Sequence, residues 1–441
     1  MEVPMVTPFP YTATRTVIQH MIFNFRQKLT SRCPNLKIIE NQVQLRVQSL
    51  RLAQAELKMD FVLYNLKLVC RPNQGHQLPE LQRLQNEHGG ISYDVNEYGT
   101  FPRQTRLYAQ NGEILLDFRA AERHRRHDAD PDDVEEWRRD LGNIRRDRDF
   151  RRVDVRTQEQ RDVLAGLDAR VAQLEDKLIP YDLKMRGLGA PYKYYIKLSI
   201  IERRDGEVLT RYEYVNYDRA IHMTMNYLVI KLLGNRDEPI FVQKLNVYSM
   251  GVLHLPRSVQ FRIRSIKITN GPDVVFDQIQ GAIAPESFPL DMVEVFESRQ
   301  LNNIHLQNAR RLEIQAQRTR LRLLTATHRR VHVHINRIPQ DGIWELITNW
   351  IGNPPVENKW FSFKVLTNPP EDVHELFDLL QQFNNAQTVH PVQWRRNQFP
   401  LKIEIPLGNQ RRIHIYCERF PTNLNMGIVN VQITPLDEQI P

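Results

Sequence analysis

The sequence predicts an α/β protein. A small N-terminal helical unit leads into an irregular, repeat-like curved sheet with helices on one side, interrupted by a charged helical or disordered insertion. Three observations predict this. Residues 329–365 read strand–helix–strand. Short β-branched segments recur from 241 to 365, mostly at steps of about 18 to 30 residues. Residues 119–152 lose almost all apolar side chains, and well over half of them are Arg, Asp or Glu.

In 329–365, Val331, Val333 and Ile335 alternate with His332 and His334, the period of a strand. Pro339, Asp341 and Gly342 break the pattern. Ile343, Leu346, Ile347 and Trp350 then form one helical stripe, with Asp341 a fair N-cap and Gly352 and Pro354 a stop. Trp360–Val365 alternates again. The length suits a right-handed crossover between two parallel strands. No Gly-rich loop leaves either strand, so phosphate binding is not expected.

From the N-terminus, Pro8 and Pro10 exclude a helix before Tyr11. Thr12 or Thr14 can cap a helix carrying Val17, Ile18, Met21 and Ile22. A second helix, Phe25 to Arg32, is closed by Cys33-Pro34, after which Ile38 and Ile39 pack back or lead into a strand. Val43, Leu45 and Val47 alternate, and Leu50 and Leu52 continue after a one-residue phase shift. Met59 to Val69 reads as a second strand, residues 88–102 as an ordered turn-bearing loop, and Leu107 to Leu116 as a hairpin.

The run 119–152 cannot offset its ordering entropy by packing, so it is either disordered or a solvated helix laced with ion pairs. Val163, Leu167, Val171, Leu174 and Leu178 mark an amphipathic helix from Thr157, ended by Pro180. These shifts divide the chain at 1–42, 43–118, 119–180 and 181–441.

Beyond Pro191, Tyr194, Ile196, Leu198 and Ile200 form a strand, paired with Val208–Val215 across Asp205-Gly206. A helix spans Tyr217–Leu233 and stops at Gly234. Strands follow at Phe241–Val247, Phe261–Thr269, Met292–Phe296, Leu312–Ile314, Leu321–Leu323, Val331–Ile335 and Phe361–Val365, with helix-compatible segments at Pro285–Leu290 and Leu301–Ala309 between them. The spacing resembles a leucine-rich-repeat-like solenoid, although no LxxLxLxxN string occurs. A helix at Glu371–Phe383 and an antiparallel meander, Phe399–Ile405, Arg412–Tyr416 and Gly427–Ile433, complete the chain.

The 60 basic and 52 acidic residues leave a formal charge of +8 over 441 residues, a mild excess that permits an acidic partner without demanding one. Three widely spaced cysteines argue for a reducing compartment and against a disulfide scaffold. No apolar run reaches a membrane span and no signal peptide is visible, so a cytoplasmic or nuclear protein is expected.

His332 and His334 share one strand face and are sterically competent for metal; the plainer reading is two neutral imidazoles on a polar face. Asp94-x-Asn96-x-Tyr98-Gly99 lacks the third oxygen ligand and the closing Glu of a calcium loop. Cys33, beside Arg32, is either an activated thiol or, more simply, a buried small hydrophobe. No nucleophile, base and oxyanion set assembles, so no enzyme and no cofactor are expected. Arg318, Arg320, Arg322, Arg329 and Arg330 form a basic cluster that could face an acidic ligand, or be scattered solvated positions. The arginines of 123–148 are interleaved with acids, which weighs against nucleic acid.

Several strings also carry a family resemblance. Pro8-Phe9-Pro10-Tyr11 followed by TRTVIQHM, FNFRQKLTSRCPNLKIIE and LRVQSLRL resembles the opening of a nematode-expanded family of F-box-associated proteins. HGGISYDVNEYG, PYKYYIKLSI, AIHMTMNYLVIKLLGNR, FVQKLNVYSMGVLHLP, FRIRSIKITN, FPLDMVEVF, ITNWIG with WFSFKV, and HELFDLL are similar to further segments of it. The resemblance implies an F-box-like N-terminus ahead of a domain of unknown function. An F-box docks the Skp-type linker of a cullin ubiquitin ligase, and the remaining domain would then select a protein substrate. On this chain the docking surface would come from Pro8, Phe9, Tyr11, Val17, Ile18 and Met21, with Phe23 and Leu29 behind. A substrate adaptor is therefore the leading expectation. A repeat-type binding protein without a ubiquitin role and a nucleic-acid binder stand as alternatives.

Overall fold

The computed structural model describes residues 11–53, 55–100, 113–117, 131–153, 156–204, 206–234, 236–248, 251–255, 259–269, 271–296, 301–316, 327–355, 358–365, 370–383, 386–389, 402–407, 410–419 and 427–435. It is mixed α/β, and the chain divides into two compact units. Met1–Gln44, Leu50–Glu238 and Met250–Val259 make the first; Leu45–Ser49, Pro239–Ser249 and Gln260–Pro441 make the second.

The first unit opens with three helices, α1 (Tyr11–His20), α2 (Phe23–Arg32) and α3 (Leu36–Gln42). The third was not expected; Ile38 and Ile39 lie within it rather than leading into a strand. Strand β1 (Arg46–Ala53) shows the phase shift read from the sequence: Val47 is buried, then Leu50 and Leu52. The division between units falls within this strand, between Ser49 and Leu50.

Leu50–Ala53 pairs antiparallel with β2 (Glu56–Met59), and β2 with β3 (Val62–Pro72). The strand expected over Met59–Val69 is β3 from Val62 onward, while Met59 ends the separate strand β2 across the turn. Asp60, at φ 50°, turns the chain, a left-handed conformation that aspartate tolerates better than most residues. Helix α4 (Glu80–Glu87) follows. Strand β4 (Glu113–Asp117) pairs with β8 (Gly251–His254), and residues 107–112 of the expected hairpin lie outside the described residues.

Within the charged run, α5 (Pro131–Arg152) is helical. Helix α6 (Gln158–Met185) starts at a capping box, where Thr157 Oγ1 accepts the Gln160 N–H and Gln160 returns its side chain to the Thr157 N–H. It continues past Pro180 to Met185, contrary to the sequence expectation. Contacts from α5 hold the turn beyond the proline: Trp137 meets Tyr181 edge-on at 6.2 Å and Arg138 binds Asp182 at 2.8 Å. Those contacts offset the backbone hydrogen bond that proline removes. Strands β5 (Tyr192–Arg204) and β6 (Glu207–Asn216) add to β3, in the order β1-β2-β3-β5-β6, all antiparallel.

Helix α7 (Ile221–Leu233) begins four residues later than its apolar pattern suggests. Asp94 Oδ1 accepts both the Ile221 N–H at 2.7 Å and the Tyr217 hydroxyl at 2.9 Å, so Tyr217 serves the cap instead of the first turn.

In the second unit, β7 (Ile240–Val247), β9 (Phe261–Ile268), β10 (Met292–Phe296), β11 (Arg311–Gln315), β12 (Arg330–Ile335) and β13 (Trp360–Val365) are parallel neighbours in that order. Between them lie α8 (Pro272–Ile279), a 3-10 turn at Pro285–Ser287, α9 (Ile304–Gln307) and α10 (Gln340–Gly352). Residues 321–323, expected as a further strand, lie outside the described residues. The stretch 329–365 is β12–α10–β13, with Ile343, Leu346, Ile347 and Trp350 buried. Trp350 meets Phe361 edge-on at 5.4 Å, which seats α10 on the apolar face of β13. After α11 (Pro370–Leu380), β14 (Gln387–Val389), β15 (Lys402–Leu407), β16 (Arg411–Arg419) and β17 (Gly427–Pro435) form the expected antiparallel meander, joined to β13 through β17. Among the described residues, no helix is long and apolar enough to cross a membrane.

Candidate functional site

Two surfaces carry the residues singled out in the sequence, one in each unit.

The first is built on the N-terminal helices. Their core includes Ile18, 1% exposed, and Phe23. Beneath them lies an ion network. Glu40 on α3 is fully buried, with Oε1 2.5 Å from Arg236 Nη2 and Oε2 2.7 Å from Lys37 Nζ. Arg26 on α2, 1% exposed, lies 3.9 Å from Glu40 and donates to the carbonyls of Met21, Gln19 and Gln44. Burial works against the Glu40 charge, but Arg236 and Lys37 outweigh it and hold its carboxyl below the ordinary value. The helices are thereby tied to the chain just after α7, some 200 residues away.

Several apolar side chains of these helices are exposed among polar ones such as Arg15, Gln19 and Lys28. Tyr11 (52% exposed) and Val17 (53%) stand in solvent, as do Ile22, Phe25 and Ile38, while Met21 is half-buried. The Tyr11 hydroxyl donates to Gln42 Oε1 at 2.8 Å. Of the residues expected to dock a partner, Tyr11 and Val17 are accessible, Ile18 serves the core, and Pro8 and Phe9 lie outside the described residues. Ile22 and Ile38 were missed because both sit in apolar stretches where nothing in the spacing separates core from surface.

The second surface is one face of the second unit's sheet. Alternation sends Val293 and Val295, Leu312 and Ile314, Val331 and Val333, and Phe361 and Phe363 into the core. The intervening residues meet in rows on the other face, because parallel register aligns them. Lys267, Glu294, Glu313, His332, Ser362 and Asn430 stand side by side across six strands. Glu294 is clamped by Lys244 at 2.7 Å and by Lys267, and receives Gln315 Nε2 at 3.5 Å. Burial raises its pKa, yet the two lysines outweigh it and hold Glu294 ionised. Arg311 pairs with Glu313, and Trp360 Nε1 donates to Asn430 Oδ1 at 3.1 Å. Arg330 stacks over the Trp360 ring at 5.4 Å.

His332 and His334 lie on this face, as their spacing required. Burial, then Arg311, His334 and Arg330, push His332 down to about 4, and burial lowers His334 as well. Both are neutral at pH 7. His332 Nδ1 is hydrogen-bonded to Ser362 Oγ, which resembles half of a nucleophile–base pair. Ser362 sits mid-strand, however, with a parallel neighbour on one side and an antiparallel one on the other. The nearby backbone N–H groups belong to those ladders and are not free to hold an oxyanion. Among the described residues no group of three or more His, Cys, Asp or Glu could hold a metal ion.

On the meander, His414 is fully buried. Its Nδ1 is 3.3 Å from Glu404 Oε1, and neither ring nitrogen makes a hydrogen bond. Burial first, then Arg412 and Lys402, push it down to about 4 against the pull of Glu404.

Of the expected acidic-ligand face, Arg329 and Arg330 are exposed, while Arg318, Arg320 and Arg322 lie outside the described residues. Cys33 is exposed, against the expectation of a buried small side chain.

Residues 220–367 match a family model described as a domain of unknown function, DUF3557. The match spans α7 and every parallel strand from β7 to β13, including the β12–α10–β13 unit. No curated protein and no solved structure matches the chain.

Proposed function

We propose that this protein is a non-catalytic protein–protein interaction module, recruiting a protein substrate to a cullin-type ubiquitin ligase. In this reading the N-terminal helices are F-box-like and meet a Skp-type linker through Tyr11 and Val17. The second unit is an irregular leucine-rich-repeat-like sheet whose polar face selects the substrate. Arg330, Trp360 and the Lys244–Glu294–Lys267 clamp offer that substrate paired charges with an aromatic platform. No catalysis and no cofactor are invoked, and the protein acts in the cytoplasm or nucleus.

The observation that carries the proposal is the combination in α1–α3 of exposed apolar side chains with a buried Arg26–Glu40–Arg236 anchor. A helical unit held this firmly yet exposing several large apolar side chains is suited to a partner helix or groove. The test is affinity purification of the full chain beside Val17→Asp, probed for the linker. Linker bound to the wild type and lost from the variant supports the reading. Linker absent from both ends it.

A further inference from the structure

Strand β6 stands at the end of the first unit's sheet, and every one of its ten residues is exposed. Natural edge strands are blunted by proline, charged side chains, bulges or shortness. This one has no proline, lysine or bulge and is ten residues long, and its charges, Glu207, Arg211 and Glu213, include an opposite pair. It runs in unbroken register with β5 from Glu207 to Asn216 and exposes Val208, Leu209, Tyr212, Tyr214 and Val215.

The hydrogen-bond phase of the edge follows from the ladder. Arg203 N–H donates to Phe61 O at 3.0 Å, so odd-numbered residues of β5 turn their backbone groups toward β3 and even-numbered ones toward β6. Ile200 pairs with Arg211 and Leu198 with Glu213, which commits the odd residues of β6 to β5. Val208, Thr210, Tyr212, Tyr214 and Asn216 therefore direct N–H and C=O to the open side. An added strand can bond only to these.

We infer that this edge pairs antiparallel with the same strand of a second copy of this chain, Tyr212 opposite the partner's Tyr212 on the two-fold axis. The alternatives are poorer. An axis at Arg211 or at Glu213 sets like charges face to face. An axis at Thr210 sets Glu207 against the partner's Glu213. An axis at Tyr214 leaves Val208–Arg211 with no strand opposite. At Tyr212, Val208–Asn216 is paired throughout and Arg211 meets the partner's Glu213 twice by symmetry. These are non-hydrogen-bonded positions, where cross-strand side chains come closest. Leu209 meets the partner's Val215 beside them. Arg211 and Glu213 already lie 3.2 Å apart within one chain, so dimerisation closes that pair into a square of four charges of alternating sign. The edge borders α2, since Leu209, Arg211 and Glu213 line one pocket with Asn24, Gln27 and Lys28, whereas the linker-docking residues of the proposal are Tyr11 and Val17 of α1.

The test is sedimentation of the full chain over a range of concentrations, with circular dichroism and melting as controls for folding. The wild type is expected to dimerise. Arg211→Glu alone and Glu213→Arg alone are each expected to weaken the dimer about tenfold or more, since two attractive pairs become two repulsive ones. The double exchange R211E/E213R restores the pairs and should restore the dimer. Thr210→Pro removes an outward N–H without touching the β5 ladder and should give a monomer. A wild type that stays monomeric overturns the inference. So does a dimer indifferent to either single reversal, or one that the double exchange fails to restore.

Discussion

At the scale of residues, the buried carboxylate Glu40 is the most exacting position. Removing its charge strands Arg26 and Arg236 in the interior, and a broken buried pair costs about 3–5 kcal/mol. Glu40→Gln is expected to lower unfolding free energy by that order in a denaturant titration; a loss below about 1 kcal/mol would remove the anchor from the account. His414 makes a different demand. Its folded pKa of about 4 lies below the ordinary 6.5, so the fold holds it neutral while the unfolded chain takes up a proton. Its stabilisation is complete above pH 6.5 and is lost as pH falls toward about 4. His414→Gln should flatten the stability–pH slope across that window; an unchanged slope would assign the acid sensitivity elsewhere. None of these partnerships was legible in the sequence. Glu40 meets Arg236 across 196 positions, and no local pattern announces such a contact.

At the scale of elements, periodicity carried the reading where packing has one dominant side. The strands β7, β9, β10, β12 and β13 fell where β-branched alternation placed them, and α10 kept the stripe of Ile343, Leu346, Ile347 and Trp350. Ile347 is fully buried. Ile347→Ala should therefore cost about 2–5 kcal/mol. A cost below about 1 kcal/mol would mean that α10 is not seated on the sheet as described. The expectations that failed have local causes. The Asp60 turn lacks the glycine that usually marks a two-residue connection. Pro180 sits inside α6 because Tyr181 and Asp182 are held by α5, a tertiary effect that overrides proline's usual meaning. Helix α5, whose sequence left disorder and helix equally open, carries i,i+4 pairs such as Asp147–Arg151 and longer ones to α6 such as Arg145–Glu175. These exposed pairs are each worth little, so α5 should be the first helix to lose amide-exchange protection as salt is raised.

At the scale of the whole molecule, the sequence disclosed an α/β chain with a helical beginning, a charged interruption and a parallel array. The polar face of that array was half legible. The spacing of His332 and His334 placed them together, but only the register showed Lys267, Glu294, Glu313 and Ser362 joining them in one row. The docking helices were legible as helices and not as a surface, because the apolar run Val17-Ile18 contributes one residue to solvent and the next to the core. The adaptor reading depends on that exposed side chain. The direct measurement is a calorimetric titration of purified Skp-type linker into the full chain and into Val17→Asp, whose exposed position leaves the fold intact. Saturable binding by the wild type, lost in the variant, is the predicted result. No binding by the wild type, or equal binding by both, would contradict it.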